Sequence, residues 1–133
     1  MNFVQVAIPS PLRQTFTYKN QFSSNLVGKR VLVEFGRRKL VGIVISQSKN
    51  FDDSYKLKQI YEVLDDSPLF DKQALKKIIN IANYYMHPIG IVFESFIPSF
   101  LRKAKHQKTL EKYVIKIDSD NAIKSLHTVS YTH

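Results

Sequence analysis

The stretch that most constrains the fold is RVLVEFGRRKLVGIVI, from Arg30 to Ile45. Val31, Val33 and Phe35 alternate with Leu32 and Glu34, the period-two pattern of a strand with one face buried. Gly36–Lys39 (GRRK) interrupts the pattern, and Leu40–Ile45 resumes a β-rich run. Two such runs around a glycine turn predict an antiparallel hairpin with Arg37, Arg38 and Lys39 at or beside its tip. Gly36 is expected to take the positive φ of the turn. Gly42 is expected to mark a bulge or a close approach of another backbone.

Shorter runs surround this hairpin. Phe3–Ile8 alternates as a strand and stops at Pro9 and Pro11, since proline cannot donate to a sheet ladder. Thr15–Lys19 (TFTYK) is aromatic and β-branched and predicts a second strand. Asn20–Val27 is polar loop leading to a turn around Gly28, and Lys49–Tyr55 is another loop. Lys58–Leu64 predicts a further strand, closed by Asp65, Asp66 and Pro68.

A helix is predicted over Asp71–Met86, with Asp71 as N-cap and Leu75, Ile78, Ile79, Ala82 and Tyr85 at helical spacing. Lys72, Lys76, Lys77, Asn80 and Asn83 lie off that stripe. Tyr84 and Tyr85 are expected to pack against the sheet. Pro88 and Gly90 are expected to break the helix, and Ile91–Ile97 to form a short helix or turn. The fold class is therefore α+β: a small bent antiparallel sheet, barrel-like, with its open side packed against one main helix.

After Pro98, Arg102, Lys103, Lys105 and Lys108 form a basic linker, and Tyr113–Ile117 predicts a strand. Residues 1–104 are expected to form one domain. Residues 105–133 are expected to be a linker and the incomplete start of a second.

Charge narrows the partners. The 133 residues carry 20 Lys and Arg against 11 Asp and Glu, a net charge of +9. Such a balance favours polyanions, because lysine and arginine release counterions from phosphates. Cysteine is absent, which excludes disulfides, thiolate zinc sites and cysteine nucleophiles. The N-terminal MNFVQVAIPSPLRQ lacks the pattern of a secretory signal. No apolar run approaches the ~18 residues of a membrane span. A soluble cytoplasmic protein is expected.

Catalytic signals are missing. Gly28, Gly36, Gly42 and Gly90 never form a phosphate-cradling loop of the G-x-x-x-x-G-K-[ST] type. His87, His106, His127 and His133 show no metal-ligand spacing. Asp52–Asp53 and Asp65–Asp66 sit where solvated turns are expected. No enzyme activity is predicted for this chain.

Binding chemistry is present. Lys29, Arg30, Arg37, Arg38 and Lys39 cluster in one hairpin against a single acid, Glu34. Arginine forks at a turn suit phosphate, and a charged tip equally protects a strand edge from aggregation. Phe16 and Tyr18 flank Thr17. Their rings share one side of a strand, where they either stack on an unpaired base or enter the core.

Five blocks carry a resemblance: VAIPSPLRQTFTY (Val6–Tyr18), GKRVLVEFGRRKLVGIVI (Gly28–Ile45), LKQIYEVLDDSPLF (Leu57–Phe70), IANYYMHPIG (Ile81–Gly90) and FIPSFLRK (Phe96–Lys103). In order and spacing they resemble the N-terminal domain of the PriA family of replication-restart helicases, over residues 3–103. The resemblance implies a domain that pockets the 3′ end of the nascent strand at a stalled replication fork. Phe16, Thr17, Tyr18, Gly36 and Lys58 would form the pocket, with Arg37, Arg38 and Lys39 contacting phosphates. Many members carry an aspartate where this chain has Thr17, a neutral and weaker acceptor for a 3′-hydroxyl.

The resemblance further implies a winged helix beginning in residues 105–133. ATP and zinc are expected only in the helicase part beyond it. The partners implied are forked DNA, primosome proteins and single-stranded DNA-binding protein, with the chain itself monomeric. From another class, the Gly28–Ile45 run also suits a small basic RNA-binding or ribosome-associated barrel protein.

Overall fold

The computed structural model describes residues 2–22, 24–49 and 57–104. Five strands, β1 (Asn2–Ala7), β2 (Phe16–Asn20), β3 (Arg30–Phe35), β4 (Arg38–Ser48) and β5 (Glu62–Val63), precede two helices, α1 (Lys72–Tyr85) and α2 (Ile89–Phe96). A single 3-10 turn follows at Ser99–Leu101. The expected linker and winged-helix start at 105–133 lie outside the described residues.

The strands form one antiparallel sheet in the order β2-β1-β4-β3-β5. The β3–β4 hairpin stands where the alternation places it. Phe35 faces Arg38 across a two-residue turn in which Gly36 has φ +62°. Arg37 has no positive φ, so this is the type II′ pattern with glycine first, whose twist matches the flanking strands. Gly42 is the expected close approach: a Cβ there would lie 2.5 Å from Val6 Cγ1 and 2.9 Å from the Ala7 carbonyl oxygen.

The sheet is not closed. It curls far enough for β2, on one edge, to reach the segment leading into β5, on the other. Lys19 N–H donates to the Lys58 carbonyl at 2.9 Å, and Ile60 N–H donates to the Lys19 carbonyl at 3.1 Å. A bulge between Gln5 and Val6 of β1, where β4 inserts an extra residue, adds to the coiling. Of the predicted strand at Lys58–Leu64, only Glu62–Val63 pairs as a strand. The preceding residues are occupied in linking the two edges.

Alternation divides the core in two. Val4, Val6, Ile8, Tyr18, Val31, Val33 and Val44 meet Leu26 and Ile60 inside the curl. Ala7 and Ile43 point the other way, into a layer with Leu75, Ile78, Ala82, Val92 and Phe93 from the helices. Each fully buried aliphatic side chain is worth roughly 1.5–3 kcal/mol, so both layers contribute substantially.

Of the two alternatives expected at Ile91–Ile97 the chain forms the short helix, α2, and α2 rather than α1 lies directly on β1 and β4. Gly90 does not break a helix. It sits in the first turn of α2, where a Cβ would meet the Ile8 carbonyl oxygen at 1.7 Å, so the missing side chain is what lets helix and strand touch. Asp71 caps α1 as expected, accepting from Ala74 N–H at 2.7 Å. The far end of α1 departs from expectation. Tyr84 and Tyr85 do not pack on the sheet but project into solvent and meet edge-on, ring centroids 4.9 Å apart.

Arg30 and Asp65 also differ from their expected roles. Arg30 belongs to the core and not to a DNA-facing cluster, and Asp65 does not sit in a solvated turn. Both side chains are inaccessible to solvent, with Arg30 Nη2 2.8 Å from Asp65 Oδ1. Arg30 Nε donates to both carboxylate oxygens at 3.0 and 3.2 Å, and its backbone N–H donates to Oδ2 at 2.8 Å. Its Nη1 reaches the Leu101 carbonyl at 2.6 Å and that of Lys103 at 3.3 Å. A buried guanidinium demands this degree of pairing.

Candidate nucleic-acid interface

Where the sheet fails to close, an open concavity of about 370 Å³ remains. Three chain segments build it: Thr15–Tyr18 at the start of β2, Glu34–Gly36 at the end of β3 and the turn, and Leu57–Lys58 on the approach to β5. Phe16, Thr17, Tyr18, Gly36 and Lys58, spread over more than forty positions of sequence, thus line one notch.

The two aromatic rings divide the alternatives left open by their alternation. Tyr18 is core, 5% exposed, and its hydroxyl donates to the Glu34 carbonyl at 2.8 Å. Burial, and after it the Glu34 carboxylate, push the Tyr18 phenol up to about 12. Tyr18 therefore forms the floor of the notch and has no free face for stacking. Phe16 is half-buried and packs edge-on against Phe35 with centroids 4.8 Å apart, forming a wall.

Thr17 points from the opposite side of β2, as alternation requires. Its hydroxyl accepts from Gln5 Nε2 at 2.7 Å, directly across the β1–β2 ladder, and Gln5 Oε1 accepts from the Thr15 hydroxyl at 3.1 Å. Gly36 offers bare backbone at the rim, with nothing within 4 Å of where a Cβ would stand.

Among the described residues two charged ones line the notch, Glu34 and Lys58, their side chains 3.9 Å apart and each about half exposed. Sequence reasoning counted Glu34 only as the lone acid of the hairpin. The available signal was its outward position in the Val31–Val33–Phe35 alternation, next to the turn. Arg37, Arg38 and Lys39 are all exposed. Arg37 lies in the turn, Arg38 and Lys39 open β4, and Lys39 Nζ sits 3.7 Å over the ring of Tyr61, itself 59% exposed. Tyr61 was not among the expected site residues. Only the curl of the 57–61 segment brings it beside the hairpin.

Among the described residues no group of three or more His, Asp or Glu side chains stands close enough to hold a metal ion. No described helix is long and apolar enough to cross a membrane.

Fold and site together define a small α+β binding domain: a curled sheet with an aromatic-walled notch, flanked by an exposed basic hairpin. A family model for the PriA 3′ DNA-binding domain matches residues 5–98. The replication restart protein PriA of Buchnera aphidicola (subsp. Acyrthosiphon pisum) is 37% identical over 103 residues, which cover 76% of this chain and 14% of that protein. PriA of Haemophilus influenzae is 36% identical over 107 residues, covering 79% and 15%. PriA of Treponema pallidum is 30% identical over 119 residues, covering 84% and 18%. The chain belongs to the PriA 3′ DNA-binding domain family. It spans between 14% and 18% of the length of these relatives.

Proposed function

We propose that the notch receives the 3′ terminus of a DNA strand at a stalled replication fork, and that the chain acts as the fork-binding module of a replication-restart helicase. The observation that carries this reading is the convergence of β2, the β3–β4 turn and Lys58 on one concavity in a chain of this family. Phe16 offers an apolar wall for the terminal base, and Gly36 lets a sugar or phosphate come close to backbone. Lys58 supplies a cation within the notch, while Arg37 and Arg38 beside it are free to meet phosphates along the strand.

Tyr18 holds the notch together by tying β2 to Glu34 and does not itself stack on a base. Affinity on this reading is largely electrostatic and falls with salt, whereas preference for a terminus comes from the notch. The reading carries with it a soluble cytoplasmic setting and a monomer acting beside primosome proteins and single-stranded DNA-binding protein. ATP-driven unwinding belongs to segments outside the matched domain.

Fluorescence anisotropy titration tests the proposal. Partial duplexes with an accessible 3′ end should bind more tightly than blunt duplexes of the same length and charge. Equal affinity for the two at matched salt refutes a terminus pocket. Preference for structured RNA over forked DNA would instead favour an RNA-binding barrel.

A further inference from the structure

Outside the notch an aromatic ring stands in solvent next to the basic hairpin. Tyr61 is 59% exposed, although its neighbour Ile60 is buried. The backbone is fixed at both residues: Ile60 N–H donates to the Lys19 carbonyl at 3.1 Å, and Tyr61 N–H donates to the Leu32 carbonyl at 2.9 Å. Neither layer of the core includes Tyr61. The ring is thus presented by a rigid segment, and a ligand meeting it has little backbone left to order.

The charges beside that ring suit a polyanion. Lys39 Nζ lies 3.7 Å from the ring centroid. Arg37, Arg38 and Lys39 are exposed on the hairpin, and Lys58 is exposed in the segment that carries Tyr61. The acids in these two stretches are Glu34, whose carboxylate is 3.9 Å from Lys58, and Glu62, opposite Leu32 in the β3–β5 pairing. Cations outnumber acids. An exposed ring among cations is how single-stranded nucleic acid is held without sequence preference: the ring stacks on a base and the cations meet phosphates. A stacked base is worth more than an exposed cation–π contact, so Lys39 can exchange the ring for a phosphate.

We infer that Tyr61, with Arg37, Arg38 and Lys39, forms a second DNA site, which takes an unpaired base of single-stranded DNA beside the notch. None of these four residues lines the notch itself. Tyr61 stands three residues beyond Lys58, at most about 11 Å along the backbone, or the length of about three stacked nucleotides. Single strand at a fork can therefore reach the ring while an end occupies the notch. The site itself needs no terminus, so it stands or falls apart from the reading above.

The test uses the 133-residue chain and a closed circle of single-stranded oligothymidine, which has no end for the notch to receive. By anisotropy, Tyr61→Ala should bind the circle about tenfold more weakly than the wild type, the loss expected of one stacked base. Tyr61→Phe keeps the ring and should stay within about threefold of the wild type. On a blunt duplex, whose bases are all paired, Tyr61→Ala should stay within about twofold, since phosphate contacts carry that binding. The chain has no tryptophan, so Tyr61→Trp supplies a single reporter at the site. Its fluorescence should be quenched as the circle binds, with the same midpoint as the anisotropy.

A wild type that does not bind the circle, or a Tyr61→Ala variant that binds it as tightly, overturns the inference. An equal loss on circle and duplex does so too, because it makes Tyr61 a support for the hairpin. Unquenched fluorescence in bound Tyr61→Trp assigns the binding to charge alone, with the same consequence. Circle binding that depends on Tyr61, in a chain that fails to prefer accessible 3′ ends over blunt ones, would refute the notch and leave this site standing.

Discussion

Replacing Asp65 by alanine should damage this protein more than a typical single substitution. Asp65 accepts from Arg30 Nε, Nη2 and backbone N–H, and both side chains are sealed from solvent. Alanine takes that carboxylate away from a guanidinium held in the interior. Breaking a buried pair from one side costs about 3–5 kcal/mol, because the remaining charge is neither solvated nor neutralised. A domain of this size has roughly 5–15 kcal/mol of stability in total. Asp65→Ala should therefore remove about a fifth or more of it, and at about 4–8 °C per kcal/mol lower the melting temperature by about 12 °C or more.

The companion variant separates uncompensated charge from lost packing. Arg30→Met with Asp65→Leu removes both charges while filling their volume, and should recover to within about 2 kcal/mol of the wild type. Urea unfolding followed by far-ultraviolet circular dichroism reads both, with the midpoint falling and the slope unchanged for Asp65→Ala. A single mutant within about 1 kcal/mol of the wild type refutes the reasoning. So does a double mutant as unstable as the single.

Three further outcomes follow from the same geometry. Lys58→Ala should weaken binding to a 3′-ended partial duplex about fivefold at moderate salt and reduce the slope of log affinity against log salt by about one, as anisotropy across a salt series measures. Gly28 and Gly36 both have positive φ but should respond differently to alanine. At Gly28 (φ +86°) a Cβ would stand 2.2 Å from the Phe70 carbonyl oxygen, whereas at Gly36 it meets open space, so Gly36→Ala should cost about 1 kcal/mol and Gly28→Ala clearly more by urea midpoint. The Tyr18 phenol, raised from 10.0 to about 12, stabilises the fold fully below pH 10, and that contribution is lost as pH rises towards 12. A titration of tyrosinate absorbance should lose its latest component in Tyr18→Phe, and that variant should lack this part of the alkaline destabilisation.

The sheet was largely legible because its signals are local. Period-two alternation in Val31–Phe35 and Val4–Ile8, a glycine turn and flanking prolines fall within a few residues of one another. The helix α2 was legible only as a short helix or turn over Ile91–Ile97, without its first two residues. IGIVFESF is apolar on most sides, with strands under one face and α1 beside it, so no amphipathic stripe announces it. Tyr85 follows the stripe of α1 in sequence, but it closes the last turn of the helix, where it meets Tyr84 and solvent.

The Arg30–Asp65 pair joins positions 35 residues apart, and nothing near either residue distinguishes it from a surface charge. The notch occupies a middle ground. Its residues were drawn together by resemblance, since no periodicity links positions 16–18, 36 and 58. Which of them offers a ring face, a hydroxyl or a charge depended on how the sheet curls, and this moved Tyr18 to the floor and brought Glu34 forward.

The two backbone hydrogen bonds by which Lys19 meets Lys58 and Ile60 act as a clasp across the seam of the sheet. On the proposed reading a strand end lodged in the notch would touch both sides of that seam, and so would bind the clasped arrangement and not the sprung one. By mass action the ligand must then tighten the clasp, whatever the binding energy consists of. The amides of Lys19 and Ile60 become built-in reporters: their hydrogen exchange should slow when DNA is bound, and in proportion to occupancy, while the amides deep in β1 and β4 stay as they were.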